Sequence, residues 1–246
     1  MRALVAAELV KIRTTRASIG YALAVAVLAG IAAAAIVGAA EEPSLATTEL
    51  SREIVSATLF TTVVAFVVGI VSVTGEWWHG TITRTFLATP RRGRVLVAKE
   101  LSILVVAPVL AVLGLAVALA VAVPWLLVEG SSFELSGDTV AYAGRVVAAT
   151  TLWGALGVAV GAVVLSQAAA LVGAILWVLV GEALLTVLLG LVGLEAVGKL
   201  LPGRALSAFG GTEPGLSMWL AGAVGAGWVV ALALLGHLRI SRQDVT

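Results

Sequence analysis

Long apolar runs alternate with short charged segments along this chain. The first run, residues 17–40, contains no charged side chain. A membrane-spanning helix needs about 20 apolar residues, because each residue advances the helix by about 1.5 Å across a hydrocarbon core of about 30 Å. The runs therefore predict six spans, at about residues 17–40, 54–75, 101–124, 143–165, 168–192 and 216–238.

Polar residues and prolines set the expected ends of these helices. Residues 146–194 contain one charge, Glu182, and are too long for a single span. The polar pair Ser166–Gln167 predicts a hairpin between the fourth and fifth spans. Pro124 is expected to end the third span, because proline has no N–H for the helix interior. Acidic loops are expected at residues 41–53 and 129–138.

The composition agrees with a membrane protein. The chain has 246 residues, of which 61% are hydrophobic and 12% are charged. Soluble domains carry about 25% charged residues. Every loop is shorter than about 30 residues, which is too short to bury a core of its own. We therefore expect an all-α membrane protein with one transmembrane domain, residues 1–246.

The distribution of basic residues predicts the orientation. With six spans, both termini lie on the same side, and 11 of the 15 Lys and Arg residues fall on that side. Loops rich in Lys and Arg face the cytoplasm. Both termini are therefore expected in the cytoplasm, and the loop at residues 75–101 with them.

Several kinds of site are not expected from the sequence. No GxxxxGK[ST] phosphate loop is present, since the three lysines are followed by Ile, Glu and Leu. The chain has two histidines, far apart, and no cysteine, so a zinc site is not expected. We predict no enzyme activity, no catalytic residue, no metal ligand and no nucleic acid partner for this chain.

Glu182 lies near the middle of the fifth span. A carboxylate there costs a few kcal/mol and is expected to face the bundle interior or a cavity. Two interpretations stay open, a cavity-lining group that touches substrate or relays protons, and a structural hydrogen bond to a neighbouring helix. Small-residue faces in spans four and six indicate close packing within the subunit, or alternatively a dimer seam. Their glycines are Gly154, Gly157, Gly161, Gly222, Gly225 and Gly227.

The loop at residues 75–101 carries five of the fifteen basic residues. Residues 81–87 are predicted to form a short helix with Ile82 and Phe86 on one face. Thr89–Pro90 is expected to close it, and a second helix to start at Arg94. The loop is either a knob that another protein grips or an ordinary positive loop in contact with anionic lipid.

Residues 1–16 are basic and are predicted to form a helix on the membrane surface, or alternatively a frayed tail. Glu8 interrupts the apolar stripe of this helix. The stripe consists of Leu4, Val5, Leu9 and Ile12.

Three segments carry a resemblance to a known family. Residues 76–99 contain E-x(4)-T, then LATPRR, then V-x-x-A-K. Residues 7–16 read A-E-L-x-K-I-R-T-T-R, and Trp177–Leu185 reads W-x(4)-E-x-L-L, with Leu201-Pro202-Gly203 after it. Together with six spans, the chain resembles the permeases of the type-2 ABC exporter family, the integral membrane subunits of ATP-binding cassette transporters.

The resemblance implies a half-transporter with an N-terminal interfacial elbow helix and a cytoplasmic coupling helix at about residues 81–88, between spans two and three. Two separate ATPase subunits would bind ATP and magnesium, so that this chain itself needs no cofactor. The resemblance implies ATPase contacts at Glu76, Thr81, Ile82, Arg84, Phe86, Arg91, Arg92 and Arg94. It implies a substrate cavity at Trp177 and Glu182, and an outer gate at Leu201 and Pro202.

The function expected from the resemblance is ATP-driven export of a hydrophobic or amphipathic compound, such as a drug, antibiotic, lipid or peptide. The expected location is the plasma membrane of a bacterium, in contact with lipid. The second permease would be another copy of this chain, in preference to a related one. The alternative is a membrane-anchored assembly or sensory subunit without transport, and proton-driven carriage through Glu182 is a third hypothesis.

Overall fold

The computed structural model describes residues 1–40 and 48–243, and these residues form helices and no strand. Six segments are long and apolar enough to cross a membrane, as the sequence predicts. They are Arg16–Ala39, Thr48–Trp78, Arg92–Val128, Gly137–Val164, Gln167–Leu191 and Met218–Arg242.

The described residues contain twelve α-helices. In order they are α1 (Arg2–Thr14), α2 (Arg16–Ala39), α3 (Thr48–Ser56), α4 (Phe60–Trp78), α5 (Ile82–Ala88), α6 (Arg92–Val128), α7 (Gly137–Val164), α8 (Gln167–Leu176), α9 (Glu182–Leu191), α10 (Glu195–Gly198), α11 (Pro202–Gly210) and α12 (Met218–Arg242). A 3₁₀ turn joins α3 to α4, and a π-helical turn at Trp177–Gly181 joins α8 to α9.

Glycines let α4 and α7 pack backbone against backbone in the centre of the bundle. A Cβ at Gly69 would lie 2.2 Å from the carbonyl oxygen of Gly154, and one at Gly157 would lie 2.2 Å from that of Phe66. In α12, Gly225 packs against Leu206 of α11. These glycines therefore serve packing within the chain, whereas a Cβ at Gly227, the last of the predicted set, would meet nothing within 4 Å.

The prediction that Pro124 ends the third span is wrong. Helix α6 runs through both Pro108 and Pro124 to Val128. Ala122 and Leu126, on either side of Pro124, are buried in one cluster with residues of α2 and α3. This packing holds both sides of the proline in helical conformation, and apolar helices tolerate the lost hydrogen bond.

The predicted acidic loop at residues 41–53 is wrong for its second half, which is the helix α3. Leu50, Ser51 and Ile54 are buried on one face of α3. The hydroxyl of Ser51 accepts a hydrogen bond of 2.9 Å from the backbone N–H of Glu134. The charged residues of α3 face outward, so its sequence looks polar although one face is packed. Residues 41–47 lie outside the described residues.

Contacts between helix ends define two ends of the bundle. The α5 end holds α1, α5, the start of α6, the α7–α8 turn and the end of α12, and the opposite α11 end holds α3, α10 and α11. The hairpin predicted at Ser166–Gln167 is present, with Leu165 in a left-handed conformation at φ 61°. The short helix predicted at residues 81–87 is present as α5, and α6 begins at Arg92, two residues before the predicted start.

Candidate functional site

Four charged side chains form a network at the α5 end that is largely buried except at Lys11. It is named here the Lys99 cluster and consists of Glu8, Lys11, Glu76 and Lys99. The ammonium of Lys99 is almost fully buried and lies 2.8 Å from Glu8 Oε2 and 2.7 Å from Glu76 Oε1. It donates its third hydrogen bond, of 2.7 Å, to the carbonyl oxygen of Ser72. All three donors of this lysine are therefore used inside the chain.

Lys11 closes the network from the N-terminal helix. Its Nζ lies 2.6 Å from Glu8 Oε1 and 2.9 Å from Glu76 Oε1. Burial alone would lower the pKa of Lys11, but the hydrogen bonds and charges of the two carboxylates outweigh burial and raise its pKa above the ordinary lysine value. Lys11 is therefore charged at neutral pH.

The cluster joins three helices, and a hydrogen bond from Thr85 adds a fourth. Glu8 and Lys11 belong to α1, Glu76 to α4 and Lys99 to α6. Thr85 of α5 donates a hydrogen bond of 2.9 Å to Glu76 Oε2. Every carboxylate oxygen thus has a partner, which satisfies the condition for burying charges in a protein interior. Glu8 lies on the apolar stripe of α1 because that stripe faces Lys99.

The inner face of α5 packs against the bundle. Ile82 and Phe86 lie on one face, as their spacing predicts, and this face is buried against the bundle. The ring of Phe86 meets Trp77 edge to face, with 6.3 Å between centroids, and the guanidinium of Arg92 lies 5.0 Å from the centre of the Phe86 ring. Arg92 also donates hydrogen bonds to the carbonyl oxygens of Ile240, at 3.1 Å, and of Gln243.

The predicted ATPase contacts therefore divide into two groups. Glu76, Ile82, Phe86 and Arg92 are engaged within the chain. Thr81, Arg84, Arg91 and Arg94 are exposed. Within the described residues, the side chains of these three arginines have no ion pair or hydrogen bond. Leu87 follows Arg84 by three residues on α5, so the two lie on neighbouring parts of its surface, and Leu87 is 78% exposed, a feature that charge patterning does not detect.

At the α11 end, two charged side chains hold the ends of the short helix α11. Glu182 Oε2 accepts a hydrogen bond of 3.1 Å from the backbone N–H of Gly203, and Oε1 accepts one of 2.6 Å from that of Arg204. Arg145 donates to the carbonyl oxygens of Ala208 and Phe209, at 3.3 and 3.1 Å. A negative group at a helix N-terminus and a positive group at its C-terminus both stabilise the helix, because each interacts favourably with the helix dipole.

These contacts satisfy the backbone of a segment that folds back into the bundle. Leu206 of α11 packs against residues of α4, α7 and α8. The indole N–H of Trp228 donates a hydrogen bond of 2.8 Å to the carbonyl oxygen of Leu200, just before α11. Non-helical backbone at membrane depth is tolerated only where protein satisfies it. Glu182 therefore accepts two hydrogen bonds from the backbone N–H groups of α11, which agrees with the interpretation of a structural hydrogen bond to a neighbouring helix.

A cavity of about 300 Å³ lies beside this contact. Trp177, Glu182 and Pro202, three of the predicted cavity and gate residues, all border it. Leu201 is buried next to Pro202 but does not line the cavity. A neighbouring cavity of about 410 Å³ shares the edge-to-face pair Phe66 and Trp153 with it. Both cavities are lined mainly by apolar side chains of α4, α7 and α8, so they suit apolar groups.

Sequence reasoning missed Glu8, Lys11, Lys99 and Arg145 as site residues. One signal was available for Glu8, an acid in the middle of an apolar stripe, and one for Arg145, a charge inside a predicted span. Nothing in the sequence pairs Glu8 with Lys99 across 91 positions. Within the described residues, no three His, Asp or Glu side chains come together as a metal ion would need.

Comparison with protein-family models gives no match for this chain, and comparison with curated proteins gives no significant match.

Proposed function

We propose that this protein is the membrane subunit of an ATP-driven type-2 ABC exporter, with α5 as the helix that receives a separate ATPase. The observation that carries the proposal is the two-sided character of α5. Its inner face is fixed to the bundle through Phe86 and Thr85, and its outer face presents Arg84 and Leu87 without partners in the described residues. An apolar side chain beside unpaired arginines is typical of a protein interface.

The Lys99 cluster supports a mechanical role for this helix. A displacement of α5 would be transmitted to Glu76 of α4 through the hydrogen bond of Thr85. The ion pairs of Glu76 would transmit it further to Lys99 in α6 and Lys11 in α1. Hydrogen bonds between charged groups are short and directional, so these helices move together. ATP-dependent closure of the motor would in this way tilt α4 and α6, a rigid-body change of hinge or shear type.

The apolar cavities support a hydrophobic or amphipathic substrate. They lie against α8 and α9. Only 6% of the most apolar stretch of this span, Gln167–Leu191, is buried within the chain. We propose that a second copy of this chain faces α8 and α9, so that substrate passes between the two copies and leaves past α11. The exposed side chains there are aliphatic, which suits packing of helix against helix in a membrane.

Co-purification with the ATPase encoded beside this gene tests the proposal. Leu87→Asp changes the outer face of α5, and Arg91→Glu changes an exposed residue between α5 and α6. Both leave the inner face of α5 intact, so we expect loss of the ATPase with normal membrane insertion. Arg239→Glu, another exposed arginine at the α5 end, is the matched control and is expected to retain the ATPase. Phe86→Asp and Arg92→Glu are unsuitable, because both break contacts within the chain.

Retention of the ATPase by both Leu87→Asp and Arg91→Glu, with normal stimulated turnover, would show that α5 is not the docking helix. Transport in proteoliposomes then separates the functions. Export that needs ATP and persists without a proton gradient supports the exporter. A complex that binds the ATPase and moves no compound would instead be an assembly or sensory subunit.

A further inference from the structure

A third cavity, of about 720 Å³, lies at the α5 end between α1, α2, α4 and α5. One part of its lining is polar and includes Lys11, Arg84 and Gln167. The other part is apolar and includes Tyr21 and Val68. Ligand pockets have volumes of about 300–1,000 Å³, so this cavity is large enough for a headgroup and part of a chain.

The polar part has cationic donors to spare. Two of its lining side chains are carboxylates and three are cations, so with histidine neutral the lining carries one net positive charge. These side chains are Glu8, Glu76, Lys11, Arg84 and Lys99. The carboxylates are saturated by the Lys99 cluster. Lys11 uses two of its three donors and is 45% exposed, and Arg84 uses none within the described residues.

Gln167 adds an unsatisfied polar atom to the same cavity. Its Oε1 is buried and has no hydrogen-bond partner in the described part of the chain. Buried polar atoms are nearly always paired, so an atom of this kind calls for a ligand or a water molecule. The hydroxyl of a polyol headgroup would satisfy it.

The apolar part extends from the polar part along α4. Val71 and Val68 precede Glu76 by five and eight residues, which places them about 7.5 and 12 Å further along the helix axis. Tyr21 of α2 and Ile12 of α1 line the cavity with them. The cavity therefore has cationic donors at one side and apolar side chains along α4 at the other. A lipid has the same division, with a charged headgroup and an apolar acyl chain.

From these features we infer that the cavity binds one anionic phospholipid, with the phosphate at Arg84 and Lys11 and the start of an acyl chain against Tyr21, Val68 and Val71. Guanidinium groups bind phosphate through paired hydrogen bonds, and lysine adds a point charge.

Arg84 belongs both to the proposed ATPase face and to this cavity, whereas Leu87 and Arg91, the residues changed in the docking test, do not line the cavity. The two proposals can therefore fail separately, and the lipid site does not require that the protein is an exporter.

Native mass spectrometry of the purified protein tests the site. The chain is offered phosphatidylglycerol or phosphatidylcholine with identical acyl chains, and retained lipid is counted. We expect selective retention of one phosphatidylglycerol. Arg84→Gln is expected to weaken retention about tenfold or more, because it removes charge-assisted hydrogen bonds. Arg91→Gln is the matched control, an exposed arginine outside the cavity, and is expected to change retention less than twofold.

A second variant, Val71→Trp, fills the apolar part and is expected to reduce retention while Arg84 is intact. Thermal unfolding of each variant verifies that the fold is preserved. Equal effects of Arg84→Gln and Arg91→Gln would show a diffuse charge effect and overturn the inference, as would equal retention of phosphatidylcholine. Displacement of the lipid by millimolar inorganic phosphate would also overturn it, because the site would then bind phosphate alone.

Discussion

The ammonium of Lys99 is buried between two carboxylates, and its removal provides a direct test of the Lys99 cluster. Lys99→Met keeps the apolar stem but leaves Glu8 and Glu76 with Lys11 as their remaining cation. Breaking a buried ion pair costs about 3–5 kcal/mol, and since Lys11 remains we expect a loss of about 3 kcal/mol. Thermal unfolding in detergent measures it, with the exposed Arg94→Met as control, expected within about 0.5 kcal/mol.

The double variant Lys99→Met with Glu8→Gln separates charge from packing. Neutralising one of the two carboxylates is expected to restore part of the lost stability. If Lys99→Met unfolds at the same temperature as Arg94→Met, the cluster does not hold α1 and α6 together.

Glu182 allows its two interpretations to be distinguished. Glu182→Gln keeps one carbonyl acceptor for the two N–H groups of Gly203 and Arg204, and Glu182→Leu keeps none. An unsatisfied buried N–H costs about 1–3 kcal/mol, so stability should fall in the order wild type, Gln, Leu. Hydrogen exchange at residues 203 and 204 is the measurement. Glu213→Gln, which breaks only a partly exposed ion pair with Arg204, should change little.

Exchange that is unchanged in Glu182→Leu would contradict the capping role. Normal exchange and stability in Glu182→Gln, combined with altered transport, would instead assign the residue to the cavity.

For individual residues, the sequence can indicate that a side chain is unusual, but it does not identify the partners of that side chain. Glu182 could be singled out because a charge in a span is rare, but its partners lie 21 and 22 positions away and are backbone groups with no signature of their own. Phe86 could be placed on the same face as Ile82 by its spacing, but the sequence does not show that this face packs against the bundle. The role of Arg92 could not be predicted either, since only the fold brings it to the end of α12.

Among the helices, the contact between α4 and α7 depends on glycine. A Cβ at Gly157 would lie 2.2 Å from the carbonyl oxygen of Phe66, so Gly157→Ala must push the two helices apart. Overpacking of this kind costs about 1–3 kcal/mol. Gly173→Ala is the matched control in α8, because a Cβ there meets nothing within 4 Å. Thermal unfolding of the two variants should differ by that amount, and equal stability would mean that the helices do not approach so closely.

The helices themselves follow from hydrophobic runs, whereas their ends depend on packing. The hairpin at Ser166–Gln167 was predictable because polar residues interrupt an apolar run. The prediction that the helix ends at Pro124 was wrong because the contacts of Leu126 outweigh the loss of one hydrogen bond. Helix α3 was not recognised because three of its nine residues are charged, although Leu50 and Ile54 are buried.

For the whole molecule, the separation of charged and apolar surfaces gives a consistent picture of two ends. The α5 end collects basic side chains that the chain itself does not neutralise. At the α11 end, Arg145 and Arg204 are paired internally and Arg52 lies over the ring of Tyr142, which leaves Lys199 as the basic residue without a polar partner among the described residues there. Unpaired cations at one end suit anionic lipid or a protein partner, and paired ones suit a closed surface. The two proposals, an ATPase at the outer face of α5 and a lipid behind it, both arise from this difference.

The orientation of the molecule is the remaining prediction, and the chain is well suited to test it because it has no cysteine. Loops rich in Lys and Arg stay in the cytoplasm, so Leu87→Cys in α5 should react with a membrane-impermeant maleimide only after cells are permeabilised. Ser132→Cys, in the loop between α6 and α7, should react in intact cells. Both positions are exposed, so access and not burial decides the labelling. The reverse pattern would place α5 outside the cell, where no ATP-driven motor could reach it.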